Sequence, residues 1–326
     1  MKGETWTMVQ LGYALSSEEH PPNDLVRYAR AAEDAGFSFA LISDHYHPWT
    51  DRQGQSPFVW SVIGGIAQAT ERLRLGTGVT CPTFRMHPAI IAQAAATSAA
   101  MMPGRFFLGV GSGEALNEHI VGLRWPSAAV RQDMLVEAIE IMCLLWQGSF
   151  QSYDGEYFLV EEARIYTLPE TPPEIMIAAA GPRAATIAGQ LGDGLIVTAP
   201  KAALVRQFEQ SGGTGRPRIG QVTVCWAQDE AQARRTALEY WPNAALPGQL
   251  GQELPLPRHF EQATELVSEE QIASAIVCGP DPEKHAQAIQ EYVDAGCDHV
   301  YVHQVGPDQE GFLDFYRREI LPRFGA

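Results

Sequence analysis

The chain has 326 residues, 45% of them apolar and 19% charged, with a formal net charge of −16. This fits a soluble globule with a large core, and α/β barrels of about 250 residues or more commonly form one domain. The acidic excess argues against nucleic acid, which needs clustered Lys and Arg, and no apolar run approaches the ~18 residues of a membrane-spanning helix.

The stretch MKGETWTMVQ has no apolar leader segment, so a cytoplasmic protein is expected. Cys81, Cys143, Cys225, Cys278 and Cys297 are scattered and odd in number, which reads as reduced, mostly buried thiols. Lysine is confined to Lys2, Lys201 and Lys284.

Strand-like runs alternate with amphipathic stretches along the chain. TMVQLGYAL precedes PPNDLVRYARAAEDAG, where Leu25, Tyr28, Ala29 and Ala32 recur at helical spacing. FALISDH, a helix in FVWSVIGGIAQAT, RLRLGTGVTC, a helix in HPAIIAQAAATSAAMM, and RFFLGVGSG follow. A long helix, VRQDMLVEAIEIMCLLWQG, leads to EIMIAAAG, a helix from Pro182, DGLIVTAP, a helix through Val205 and Phe208, and RIGQVTVCWA. HVYVHQVG is the last strand, before a closing helix in FLDFYRREILPRF.

Eight strands separated by helices of about 10–15 residues imply parallel pairing through right-handed crossovers. AEDAGFSFALIS, AGQLGDGLIVTA and YVDAGCDHVYVH share one pattern, in which a left-handed glycine ends a helix and a strand begins. The fold class is α/β, a single (β/α)8 barrel over residues 1–326, with a doubly wound open sheet as the alternative. Residues 150–168 read as a β-hairpin around Asp154-Gly155, and the proline-rich stretch 242–268 as a lid.

In such barrels chemistry sits at the C-terminal ends of the strands. Asp44 and His45 end the second strand, Gly78, Val79 and Cys81 the third, and Ser112, Gly113 and Glu114 the fourth, with Asn117 just beyond. Ala180 and Gly181 end the fifth, Lys201 the sixth and His303 the eighth, so all should face one mouth. His45-Tyr-His47 has the form of a metal clip, but the fifth and sixth strands supply no further ligands, which disfavours a metal-dependent hydrolase. Glu114 beside His45 instead makes a candidate general acid/base pair. The bend GVGSGEALNE lets a flat or anionic ligand approach backbone, and Pro182 with Arg183 at a helix start would suit a phosphate.

Five ordered motifs carry a resemblance: SDHYHPW, LGTGVTCPTFRMHPAIIAQA, GRFFLGVGSGEALNEH, AAAGPRAA with GDGLIVTAPK, and FLDFYRREILPRF. With them the chain resembles the bacterial luciferase-like superfamily, and within it the glucose-6-phosphate dehydrogenase group that uses the deazaflavin coenzyme F420. The resemblance implies a homodimer that moves a hydride between a secondary alcohol or sugar hydroxyl and the deazaflavin. It implies His45 as the base, Glu114 as proton donor to the cofactor, and Trp49 lining the substrate pocket. It implies cofactor contacts at Asp44, Gly78, Val79, Cys81, Ser112, Gly113, Asn117, Ala180, Gly181, Arg183 and Ala184, with a cis Gly78–Val79 peptide and Cys81 in place of the family's threonine. Lys201 matches one of three basic residues that hold the sugar phosphate, and the other two have no counterpart, so glucose 6-phosphate is expected to be a poor substrate. The alternatives are an FMN-dependent oxidoreductase or monooxygenase of the same superfamily and a cofactor-binding protein without catalysis.

Overall fold

The computed structural model describes residues 9–325. The stretch MKGETWTM, with Lys2, lies outside the described residues. In chain order the strands are β1 (Gln10–Leu15), β2 (Phe39–Ile42), β3 (Arg74–Thr77), β4 (Phe106–Val110), β5 (Gln151–Asp154), β6 (Leu159–Ala163), β7 (Glu174–Ala178), β8 (Gly194–Val197), β9 (Arg218–Cys225), β10 (Val277–Cys278) and β11 (His299–Gln304). The helices are α1 (Pro22–Ala35), α2 (Val59–Ala69), α3 (Pro88–Met101), α4 (Ala115–Glu118), α5 (Ala128–Leu145), α6 (Pro182–Leu191), α7 (Ala202–Phe208), α8 (Glu230–Tyr240), α9 (Leu250–Glu253), α10 (Pro257–Thr264), α11 (Glu269–Ala275), α12 (Pro282–Asp294) and α13 (Gln309–Phe315).

Eight strands pair in parallel in the order β1-β2-β3-β4-β7-β8-β9-β11, and β11 returns to β1, so the sheet is a closed (β/α)8 barrel. Closure rules out the doubly wound open sheet. The interior is a packed core of Ala14, Phe39, Leu41, Phe107, Met176, Ile196, Ile219 and Tyr301. Small residues face large ones there. A Cβ on Gly12 would fall 2.5 Å from the Phe39 ring, and one on Gly76 would fall 2.1 Å from Phe107. These two glycines are sites of close approach, the packing that a filled barrel interior demands. A larger apolar layer, including Leu25, Ile63, Ile91, Ile139 and Phe312, joins the strands to the surrounding helices.

The repeated helix–glycine–strand pattern holds at two of its three places. Gly36 (φ +108) and Gly296 (φ +102) take the left-handed conformation predicted for them. Gly192 does not: its φ is −91 and the chain runs extended from α6 into β8. Glycine is needed there for space, since a Cβ would lie 2.9 Å from the Ala188 carbonyl and 3.0 Å from Ile177.

The hairpin forms as β5–β6, but its turn spans residues 155–158, closed by Gly155 N–H to Phe158 O at 3.0 Å. Gly155 allows Glu137 of α5 to come close and accept the N–H groups of Glu156, Tyr157 and Phe158. The stretch 242–268 folds into a short 3-10 turn (Pro242–Ala245), α9 and α10. Arg131, buried in α5, stacks on Trp125 at 4.3 Å and bonds Pro126 O and Glu253 of α9. β10 is an addition absent from the sequence reading. It pairs with the end of β9 through Val277–Val224 and Cys278–Cys225.

Candidate active site

One cavity of about 710 Å³ opens at the C-terminal ends of the barrel strands. It divides along the strand order. The arc after β3, β4 and β7 is glycine-rich: Gly78, Val79 and Cys81, then Gly111, Ser112 and Gly113, then Ala180, Gly181 and Ala184. The arc formed by β9 and β11 and by the loops after β1 and β2 is polar and aromatic, with Gln221, Tyr301, His303, Glu18, His45 and Trp49. Lys201, after β8, stands at the boundary as the one Lys or Arg among the lining residues.

The glycine arc is shaped by tight packing beneath it. A Cβ on Gly111 would lie 2.8 Å from Val79, and one on Gly113 (φ +77) would lie 2.6 Å from the Cys81 sulfur. The Gly78–Val79 peptide is cis. Gly181 caps the N-terminus of α6, and a Cβ there would meet no atom of the described residues within 4 Å. A flat shelf, an uncrowded glycine and the free N–H groups of a helix start fit a planar ring with an anionic tail. Burial pushes the Cys81 thiol well up, so it is a neutral wall of this shelf.

Asp44 reaches the cavity from a fixed position. Thr80 Oγ1 donates to one carboxylate oxygen at 2.7 Å and Arg85 Nη2 to the other at 2.8 Å. The Arg85 backbone N–H donates to Glu118 at 2.8 Å. Burial raises the Glu118 carboxyl to about 7, against the pull of Arg85. Asn117 ties the two loops together. Its carbonyl accepts the N–H groups of Tyr46 (2.9 Å) and His47 (3.2 Å), and its amide donates to Glu114 at 3.1 Å.

His45 faces the other arc. His47 O lies 3.2 Å from its Nδ1, so that nitrogen is the N–H and the neutral ring keeps Nε2 as its basic atom. Glu18 Oε1 stands 3.3 Å from Nε2. Burial pushes the Glu18 carboxyl up, but the His45 ring and the Ser43 hydroxyl, at 2.5 Å, outweigh it and hold the group below its ordinary value. A proton taken up at Nε2 therefore meets a carboxylate, which stabilises the imidazolium. Trp49 packs against His45 at 5.0 Å between ring centroids and against Phe260 of α10 at 5.2 Å.

Of the predicted site residues, fourteen line this cavity: Asp44, His45, Trp49, Gly78, Val79, Cys81, Ser112, Gly113, Glu114, Asn117, Ala180, Gly181, Ala184 and Lys201. Arg183 does not. Its exposed side chain turns from α6 to α5 and bonds Asp133 and the Ala129 carbonyl, so α6 offers backbone N–H groups to the cavity without a guanidinium. His47 lies outside the lining, held by Leu116 O at 2.9 Å and stacked on His119, so the two histidines of the first motif act apart. Among the described residues no cluster of three His, Cys, Asp or Glu side chains is placed to hold a metal.

Sequence reasoning missed Glu18, Gln221, Trp241, Asn243 and Tyr301, all in the lining. Glu18 had a signal, the acidic pair of SSEEH directly after the first strand. Trp241 and Asn243 had none, because the insertion's path over the mouth is a tertiary fact.

A family model for luciferase-like monooxygenases matches residues 1–299. The chain belongs to the luciferase-like monooxygenase family. Within that family it is similar to the F420-dependent glucose-6-phosphate dehydrogenase of Tsukamurella paurometabola, 35% identical over 98% of both chains. The enzyme of the same name from Microbacterium testaceum is 38% identical over 97% of both. Among solved structures, an F420-dependent secondary alcohol dehydrogenase in complex with an F420-acetone adduct superposes with a TM-score of 0.91, at 30% identity over 98% of this chain and all of that one. This chain's fold is thus that of a family whose similar members are named as F420-dependent dehydrogenases.

Proposed function

We propose that the protein is a coenzyme F420-dependent oxidoreductase that oxidises a secondary alcohol or sugar hydroxyl, or runs that reaction in reverse. The observation that carries this reading is the opposition of the His45–Glu18 pair to the glycine shelf across one cavity. Gly78, Val79, Gly113 and Gly181 of the shelf would hold the deazaflavin, which would supply a hydride acceptor for the carbinol carbon. His45 Nε2 takes the hydroxyl proton, and the Glu18 carboxylate stabilises the imidazolium that results. Glu114, oriented by Asn117, is the proton donor on the cofactor side. Trp49 walls the substrate next to His45 and shuts out water there.

Charge separates this site from one built for a sugar phosphate. The lining carries carboxyl groups at Glu18, Asp44, Glu114 and Glu118 against the single cation Lys201. Arg258 is exposed and outside the lining, and Lys284 pairs with Glu230 at 2.8 Å. One cation replaces three charge-assisted contacts poorly, each being worth about 1.5–3 kcal/mol. Glucose 6-phosphate is therefore expected not to saturate the enzyme at micromolar concentration.

The test follows the loss of oxidised F420 absorption over a panel of alcohols. The His45→Ala variant should lose about 10²–10⁴-fold in kcat while still quenching its tryptophan fluorescence on binding the cofactor. Near-normal turnover by that variant would remove His45 from the reaction.

A further inference from the structure

Glu18 and Glu19, neighbours on the loop after β1, each hold one imidazole at the same cavity. Glu18 faces His45, and Glu19 Oε2 accepts from His303 Nε2 at 3.2 Å while its Oε1 accepts the Gly306 N–H at 2.8 Å. His45 has a part in the reaction. His303 has none assigned, although it lines the cavity and its side chain is only 4% exposed.

With Nε2–H given to Glu19, the neutral His303 ring presents Nδ1 as an acceptor. Among the described residues that atom has no partner. Trp241, at the start of the insertion, packs edge-on against the same ring at 4.4 Å and fixes its orientation. Two residues on, Asn243 also lines the cavity, and its buried Oδ1 likewise has no partner among the described residues. A buried acceptor left unpaired costs about 1–3 kcal/mol, which is recovered when a ligand supplies a donor. His303, on β11, and Asn243, in the insertion after β9, both line the cavity on the arc away from the glycine shelf. The same side holds two indoles, Trp49 and Trp241, which give apolar walls to the C–H faces of a ring. Acceptors and indole walls without clustered cations fit an uncharged molecule with several hydroxyl groups.

We propose that the substrate is a neutral polyol or sugar, and that His303 and Asn243 accept hydrogen bonds from a hydroxyl other than the one oxidised. The inference rests on the dehydrogenase reading above and names its substrate class. In the reaction the carbinol C–H bond breaks with its electron pair passing to the deazaflavin, the O–H proton goes to His45, and the second hydroxyl stays intact as a handle.

The test measures kcat and KM with oxidised F420 for glucose and myo-inositol, for cyclohexanol and 2-propanol, and for glucose 6-phosphate. The neutral polyols should have the highest kcat/KM. His303→Phe should lower the ratio of polyol to monoalcohol kcat/KM at least about tenfold, mostly through KM, and His303→Gln, which keeps an acceptor, should recover part of it. If His303→Phe fails to fold because it strands Glu19, Asn243→Val tests the same ratio without orphaning a charge. A wild-type enzyme that prefers monoalcohols or glucose 6-phosphate would overturn the inference, as would variants that lower both classes equally. Turnover of monoalcohols alone sinks only this proposal, whereas reduction of F420 by no alcohol at all sinks the dehydrogenase reading and this proposal with it.

Discussion

Asp44, Arg85 and Glu118 form a buried row of charges beneath the glycine shelf, and their balance can be read by pH. Burial is the larger influence on Glu118 and raises it from 4.5 to about 7. Between those values the folded protein keeps a proton that the unfolded chain has released. Stability from this group is therefore present at low pH and is lost as pH rises from about 4.5 to 7, by roughly 3 kcal/mol in total. Glu118→Gln removes the titration, so its urea-unfolding free energy should gain on the wild type between pH 5 and pH 7.5. An unchanged difference between the two proteins at both pH values would show that Glu118 is already ionised in the fold.

At the scale of elements, the insertion between β9 and β11 forms part of the cavity wall. It supplies Trp241, Asn243, Gly248, Gln249 and Gln252 to the wall, yet α9 is only four residues long and cannot hold itself. Arg131 holds it from α5 through Glu253, with its guanidinium against Trp125. Arg131→Met keeps apolar bulk on the indole but removes the bonds to Pro126 O and Glu253. Residues 246–253 should then be cleaved about 5–30-fold faster in limited proteolysis, the effect of 1–2 kcal/mol on local opening. Cleavage at the wild-type rate would show that the segment is held elsewhere. The opposite end of the barrel carries a stability device. Glu33 of α1 accepts the N–H groups of Glu71 (3.0 Å), Arg72 (2.6 Å) and Leu73 (2.7 Å) and so fixes the start of β3 far from the chemistry.

Over the whole molecule a second buried group opposes Glu118. His285 of α12 donates from Nε2 to Gly279 O and accepts at Nδ1 from Tyr316, both at 2.9 Å, an arrangement open only to the neutral ring. Burial lowers it from 6.5 to about 4, so its contribution is present above pH 6.5 and lost as pH falls through 4, again by roughly 3 kcal/mol. The two slopes have opposite sign and overlap between pH 4.5 and 6.5, so they offset one another in the wild-type stability profile. His285→Gln should tilt that profile so that stability falls as pH rises, and Glu118→Gln should tilt it the other way. Thermal unfolding across this range checks both, and tilts of the same sign would refute the assignment.

The barrel was legible in the sequence because its signal is local and repeated. Each strand run is buried on both faces and reads as a short apolar stretch, and each helix carries its own period, as Leu25, Tyr28, Ala29 and Ala32 show in α1. The strand-end rule then placed Asp44, His45, Cys81, Glu114 and Lys201 at one mouth without any knowledge of distances. What the sequence could not decide was pairing across long separations. Glu18 meets His45 and Glu19 meets His303 only when β1, β2 and β11 lie side by side, and Trp241 reaches His303 only after the insertion has crossed the mouth. Arg183 shows the same limit from the other direction. Its position at a helix start was legible, but the acidic and carbonyl partners on α5 that draw it away are set by how two helices pack. Local chemistry thus determined the fold and which residues gather at the cavity mouth, while the contacts that tune each group arose from tertiary packing, which no local pattern encodes.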